Sequence, residues 1–88
     1  MRIAISESQF KKDVKRAGKQ NKDLNELLQI IEALRNDKSL PPKNRNHKLK
    51  GKYIGYWECH VELDWLLVYK LTPGKLIFSR IASHSELF

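Results

Sequence analysis

The chain has a single cysteine, Cys59, so no intramolecular disulfide can form and a reducing compartment fits. It has no apolar stretch of the length that a bilayer requires. Its opening residues, MRIAISESQF, lack the apolar run of a signal peptide, so the cytoplasm is the expected location and no membrane partner is expected. Internal repeats and low-complexity segments are absent. With 88 residues there is too little chain for two domains, or for a deep pocket around a bulky cofactor. One domain over residues 1–88 with an open cleft is expected instead. Acidic residues are scarce, ten against seventeen lysines and arginines, and from Pro42 to Lys52 there are none.

The resulting charge of +7 is unevenly placed. Residues 1–50 hold thirteen basic residues against six acids, whereas residues 51–88 hold four of each. The excess peaks in Lys43, Arg45, Lys48, Lys50 and Lys52. Such a field suits an anionic partner: nucleic acid, an acidic protein or a membrane surface. A merely soluble basic protein is the plain alternative.

Hydrophobic spacing gives the elements. Arg2 to Ile5 reads as a short strand. Ser6 and Gln9 have the spacing of a capping box, followed by Phe10, Val14 and Ala17 at helical intervals, with Gly18 as the stop. Asn21 or Asp23 can cap a second helix, in which Leu24, Leu27, Leu28, Ile31 and Leu34 form one apolar stripe. Asn36 and Leu40-Pro41-Pro42 end it. The basic segment 42–52 reads as a loop that enters a strand near Leu49. From Tyr53 the period becomes two: Trp57, Cys59 and Val61 alternate with Glu58, His60 and Glu62. Asp64 falls in a turn. Trp65 to Leu71 is an apolar run interrupted only by Lys70, as in a central strand. Thr72 to Lys75 is a hairpin turn, Leu76 to Ala82 the last strand, and Ser83 to Phe88 a tail. The expected class is α+β: an N-terminal strand and a helical hairpin packed on a mostly antiparallel sheet of about four strands.

Three histidines, His47, His60 and His84, lie in the loop, strand and tail of the second half. Histidine suits proton transfer near neutral pH. RNA carries its own nucleophile, the ribose 2′-hydroxyl. Cleavage then needs only a base, an acid and a cation such as Arg80 or a lysine for the phosphorane. The basic loop could hold phosphates, and Trp65, Tyr56 or Phe88 could stack on a base. Each residue also has a structural reading: the tryptophans as packing, Asp64 as a turn cap, Cys59 as inert core. The histidine spacings match no common zinc pattern, so no metal or other cofactor is expected. On residue chemistry alone, a basic α+β domain that binds or cleaves RNA is the reading.

Three segments add to this. Asn46-His47-Lys48-Leu49-Lys50-Gly51, then Trp57 to Trp65 (WECHVELDW) with Leu67-Val68-Tyr69, and finally Ser83-His84-Ser85-Glu86-Leu87-Phe88 together resemble the YafQ branch of the RelE superfamily, toxins of type II toxin–antitoxin systems. The resemblance implies a RelE-like fold and an mRNA endonuclease that works on translating ribosomes. It implies neutralisation by a cognate antitoxin, and contact with operator DNA only through that antitoxin. The family's catalytic positions fall on His47, His60, Asp64, His84 and Phe88. Arg80 matches a basic position at the scissile phosphate, and Trp65 a packing or substrate contact. His84 matches the general acid, and His47 and His60 are both candidates for the base. Relatives often carry proline before the aspartate, where this chain has Leu63. The competing functions are a non-catalytic RNA- or ribosome-binding module, including a degenerate toxin acting as co-repressor, and a metal-dependent enzyme.

Overall fold

In the computed structural model, which describes residues 1–88, the amphipathic and alternating segments become three helices and five strands. They follow the order β1 (Ile3–Ser6), α1 (Ser8–Lys19), α2 (Leu24–Arg35), β2 (His47–Lys48), β3 (Trp57–Glu62), β4 (Trp65–Thr72), β5 (Lys75–Ala82) and α3 (His84–Leu87). Short 3-10 turns at Pro42–Asn44 and Gly51–Tyr53 flank β2. All five strands share one sheet in the order β1-β5-β4-β3-β2. Every pairing is antiparallel except β1 with β5. The α+β class therefore holds, with β2 as a strand beyond the four expected.

The helices cover one face of the sheet. Phe10 and Ala17 of α1 and Leu27, Ile30 and Leu34 of α2 pack on Cys59, Val61, Trp65, Leu67, Tyr69, Leu76, Phe78 and Ile81. The buried stripe of α2 is thus Leu27, Ile30 and Leu34, while Leu24 and Leu28 remain exposed. Both stripes satisfy helical spacing, and the direction in which the sheet lies selects between them. Asp23 caps α2, accepting from the Glu26 N–H at 3.1 Å. The expected box at Ser6 does not form: Ser6 belongs to β1, Glu7 is the N-cap without a side-chain bond, and α1 runs past Gly18 to Lys19. No helix is long and apolar enough to cross a membrane.

A bulge in β5 decides what the opposite face carries. Val68 pairs with Arg80 but the next residue, Tyr69, pairs with Phe78, leaving Ser79 as the extra residue. Phe78 and Ile81 consequently both point to the core, and Arg80 shares the face of Val68. Pairing then sets His47, Glu58, Val68 and Arg80 in one row across β2, β3, β4 and β5. His60, Leu66 and Ala82 form the neighbouring row.

Candidate active site

Arg80 enters this face already partnered. Its Nε donates to Asp13 Oδ2 at 2.8 Å and its Nη2 to Asp13 Oδ1 at 3.3 Å. The Ile81 N–H adds a bond to Asp13 Oδ2 at 3.0 Å. Burial pushes the Asp13 carboxyl up, but the bonds from Arg80, Ile81 and Gln9 outweigh it and hold the group below the usual carboxylate range. The same carboxylate holds the Arg80 guanidinium more firmly charged. Arg80 thus presents a permanent cation with fixed orientation.

The segment expected as a tail is a helical turn that carries His84. Ser83 caps it: its Oγ accepts from the Glu86 N–H at 3.3 Å, while Glu86 Oε1 accepts from the Ser83 N–H at 3.0 Å. The His84 N–H donates to Asp64 Oδ1 at 2.9 Å. Asp64 therefore ties the β3–β4 turn to the start of α3. His60 braces the same turn, with Nδ1 3.2 Å from the Leu63 carbonyl oxygen. At the far end, Phe88 lies edge-on to Tyr53, with ring centroids 5.2 Å apart, and 5.4 Å from the His84 ring. Tyr53 also donates to the Leu87 carbonyl at 3.4 Å. Phe88 is 53% exposed, so its ring remains available to a ligand.

The other expected residues are distributed differently. His47 faces Glu58 across the strand pair, Nε2 to Oε1 3.5 Å, and its Nδ1 lies 2.6 Å from the Arg45 carbonyl oxygen. No two of the three imidazoles touch: His47 contacts Arg45 and Glu58, His60 contacts Leu63, and His84 contacts Phe88. The basic segment is not one patch. Lys52 sits over the Tyr53 ring beside the His84 cluster, whereas Lys48 stands over Trp57 at the helix-covered face and Lys43 pairs with Glu26 of α2. Arg45, in a left-handed conformation, and Lys50 are exposed and free of ion pairs. Trp65 is a correction. It is 2% exposed and packs in the core, so its ring has no face to offer RNA.

Several residues of the site went unassigned in the sequence. Asp13 looks like one more polar residue on a basic helix, and nothing local reveals that it is buried. Glu58 looks like the solvent side of a half-buried strand, yet it is 5% exposed and its Oε2 has no partner. Asn44, expected in a solvated loop, is buried and donates to the His60 carbonyl at 2.7 Å. Tyr53 marks only the start of the alternating segment in the sequence, which does not reveal its contact with Phe88. The Ser83-x-x-Glu86 spacing, by contrast, is a capping-box signal that marks α3 in the sequence itself.

A family model described as the bacterial toxin of type II toxin–antitoxin system, YafQ, matches residues 2–88. The mRNA interferase toxin YafQ of Escherichia coli K12 is 44% identical over 81 residues, covering 91% of this chain and 88% of that protein. A chain of the E. coli DinJ–YafQ complex superposes with a TM-score of 0.91 at 42% identity, over 100% of this chain and 99% of that one. A copper-bound mutant toxin from Helicobacter pylori superposes with a TM-score of 0.97 at 36% identity, over the whole of both chains. In this chain no three His, Cys, Asp or Glu side chains lie close enough together to share a metal ion. With its model matched over nearly the whole length and relatives above 40% identity, the chain belongs to the YafQ family of bacterial toxins of type II toxin–antitoxin systems.

Proposed function

We propose that this chain is an mRNA endonuclease that acts on translating ribosomes and is held inactive by a cognate antitoxin. The observation that carries the reading is the α3 turn. It holds the exposed Phe88 ring between Tyr53 and His84, next to the sheet face on which Arg80 stands as a fixed cation. Those groups match the needs of RNA cleavage in kind. The 2′-hydroxyl loses its proton to a base and attacks the adjacent phosphorus. Arg80 balances the charge of the phosphorane, and His84 protonates the departing 5′-oxygen. The products are a 2′,3′-cyclic phosphate and a 5′-hydroxyl end.

For the base, hydrogen bonding favours His60 over His47. The Leu63 carbonyl claims the His60 Nδ1 proton, which leaves Nε2 with a lone pair for the substrate. Both nitrogens of His47 already face protein acceptor oxygens, which leaves neither with a free lone pair for the substrate. The backbones of β3 and β5 are two strand spacings apart, about 10 Å. The RNA strand then lies across β4, with Phe88 stacking on a base and Lys50, Lys52 and Arg45 holding flanking phosphates. Asp64 acts through the backbone of His84 as a positioning residue. Relatives named as an mRNA interferase and as part of a DinJ–YafQ complex support the substrate and the antitoxin, through which operator DNA would be reached.

Sequencing RNA ends after brief induction tests the reading. The wild-type chain yields new mRNA ends in register with codons. His84→Ala, still folded, loses them by about 100-fold or more. RNA that is bound in a salt-sensitive manner but unchanged in length would instead assign the chain as a binding module.

A further inference from the structure

Helix α1 turns Phe10, Val14 and Ala17 to the sheet, and a carboxylate sits in the same stripe. Asp13 is 1% exposed. A charge in that position persists only if it is fully partnered. Four residues supply the partners: Gln9 Nε2 at 3.1 Å, Arg16 Nη2 at 3.2 Å, Arg80 through two nitrogens, and the Ile81 N–H. The location follows from the topology. β1 ends at Ser6, its last bond to β5 being the Glu7 N–H to the Phe78 carbonyl. Beyond that point β5 has an open edge, and Asp13 takes the place of the missing strand.

A sealed ion pair would serve packing alone. This one is open at one end: the Arg80 side chain keeps 32% of its surface exposed, and its Nη1, with two N–H donors, has no protein partner. Nε and Nη2 are held from behind by a buried carboxylate while Nη1 remains available. That is the arrangement of an arginine aimed at an anion. We infer that Asp13 is a positioning residue for cleavage, which acts from α1 by fixing the guanidinium of Arg80 for the scissile phosphate. The inference rests on the proposed ribonuclease function and extends its machinery to a helix that otherwise reads as scaffold. Arg16 keeps a second partner, Glu86 Oε2 at 3.2 Å, so neutralising Asp13 falls mainly on Arg80.

The test is single-turnover cleavage of ribosome-bound mRNA by the full chain, Asp13→Asn, Arg80→Ala and the double variant. Asp13→Asn, which preserves shape and an acceptor for Ile81, lowers the rate at saturating toxin about 10- to 100-fold. The half-saturating concentration moves less than about threefold. On the Arg80→Ala background the same substitution costs less than about twofold, because the group it positions is gone. A loss of equal size in both backgrounds overturns the inference, as does no loss in either. If Asp13→Asn does not fold, Asp13→Glu enters the same cycle: it retains the charge but displaces the carboxylate by one methylene, and its loss must likewise vanish with Arg80→Ala. A second readout needs no activity. In nitrogen-edited NMR spectra the Arg80 Nε–H exchanges slowly with water in the wild-type chain and quickly in the Asp13 variant. Exchange as fast as that of exposed arginines in the wild type also overturns the inference. A wild-type chain with a slow Arg80 Nε–H that cleaves no RNA refutes the ribonuclease reading and leaves the clamp standing.

Discussion

Asp64 can act in two ways, and their magnitudes differ enough to separate them. Its one hydrogen bond is from the His84 N–H, 2.9 Å, at an exposed position. A four-residue helix has no stability of its own, because nucleation is not recovered over so few bonds. α3 is capped internally by Ser83 and Glu86 and stays docked through the Tyr53–Phe88 contact, the Tyr53–Leu87 bond, the Arg16–Glu86 ion pair and Asp64. Loss of one acceptor at a helix N-terminus costs about 1 kcal/mol. That is roughly a fivefold shift in the docked population. If Asp64 only holds the helix, Asp64→Ala slows single-turnover cleavage by at most about fivefold. Asp64→Asn, which retains an amide oxygen as acceptor, slows it by less than about twofold. Removal of a group that itself moves the proton costs about 100- to 10,000-fold, for Asn as for Ala. Amide exchange supplies the structural control: the Phe88 N–H, which bonds to the His84 carbonyl, exchanges faster in Asp64→Ala. The melting temperature hardly moves, because only a terminal turn is released. A loss of two orders of magnitude in Asp64→Asn with unchanged Phe88 exchange would refute the positioning role.

Two further outcomes follow from buried groups. Asp13 is held below its unfolded value, so its share of the stability is complete above about pH 4 and is lost as the pH falls through the folded-state value. Melting curves recorded between pH 6 and acid should therefore be flatter below about pH 4 for Asp13→Asn, not perfectly flat, since Glu86 is also held low by its bonds to Ser83. A slope in the variant equal to that of the wild type would contradict the assignment. Cys59 is fully buried, and burial beside Glu58 pushes its thiol up to about 12. A thiol reagent at pH 8 should leave the native chain unmodified and titrate one thiol after denaturation, whereas rapid native modification would place Cys59 outside the core.

Much of the fold is legible because the signals are local. The alternation of Trp57 to Val61, the apolar run from Trp65 and the turn at Pro73-Gly74 predict β3, β4 and the β4–β5 hairpin as they occur. Asp23 caps α2 as its position predicts. The phase of the α2 stripe is not local, since Leu28 and Ile30 are equally good helical positions until a sheet lies on one side. Nor is the strand order. β1 joins the sheet beside β5, far along the chain, and so closes the edge only as far as Ser6.

The site divides along the same line. Residue chemistry points to three histidines, Arg80, a basic segment and aromatic residues including Phe88, and the motif resemblance adds Asp64 and gives Phe88 a place among the catalytic positions. These are statements about which groups are present, and a sequence determines that. Which groups meet was decided by the tertiary structure. The histidines make separate contacts, Trp65 is core, and the basic residues divide between two faces. Arg80 takes its orientation from Asp13, 67 residues away. The physical reason is the cost of burying charge: a carboxylate in an apolar stripe has to find its donors wherever the packed chain supplies them, and no spacing along the sequence encodes where that is.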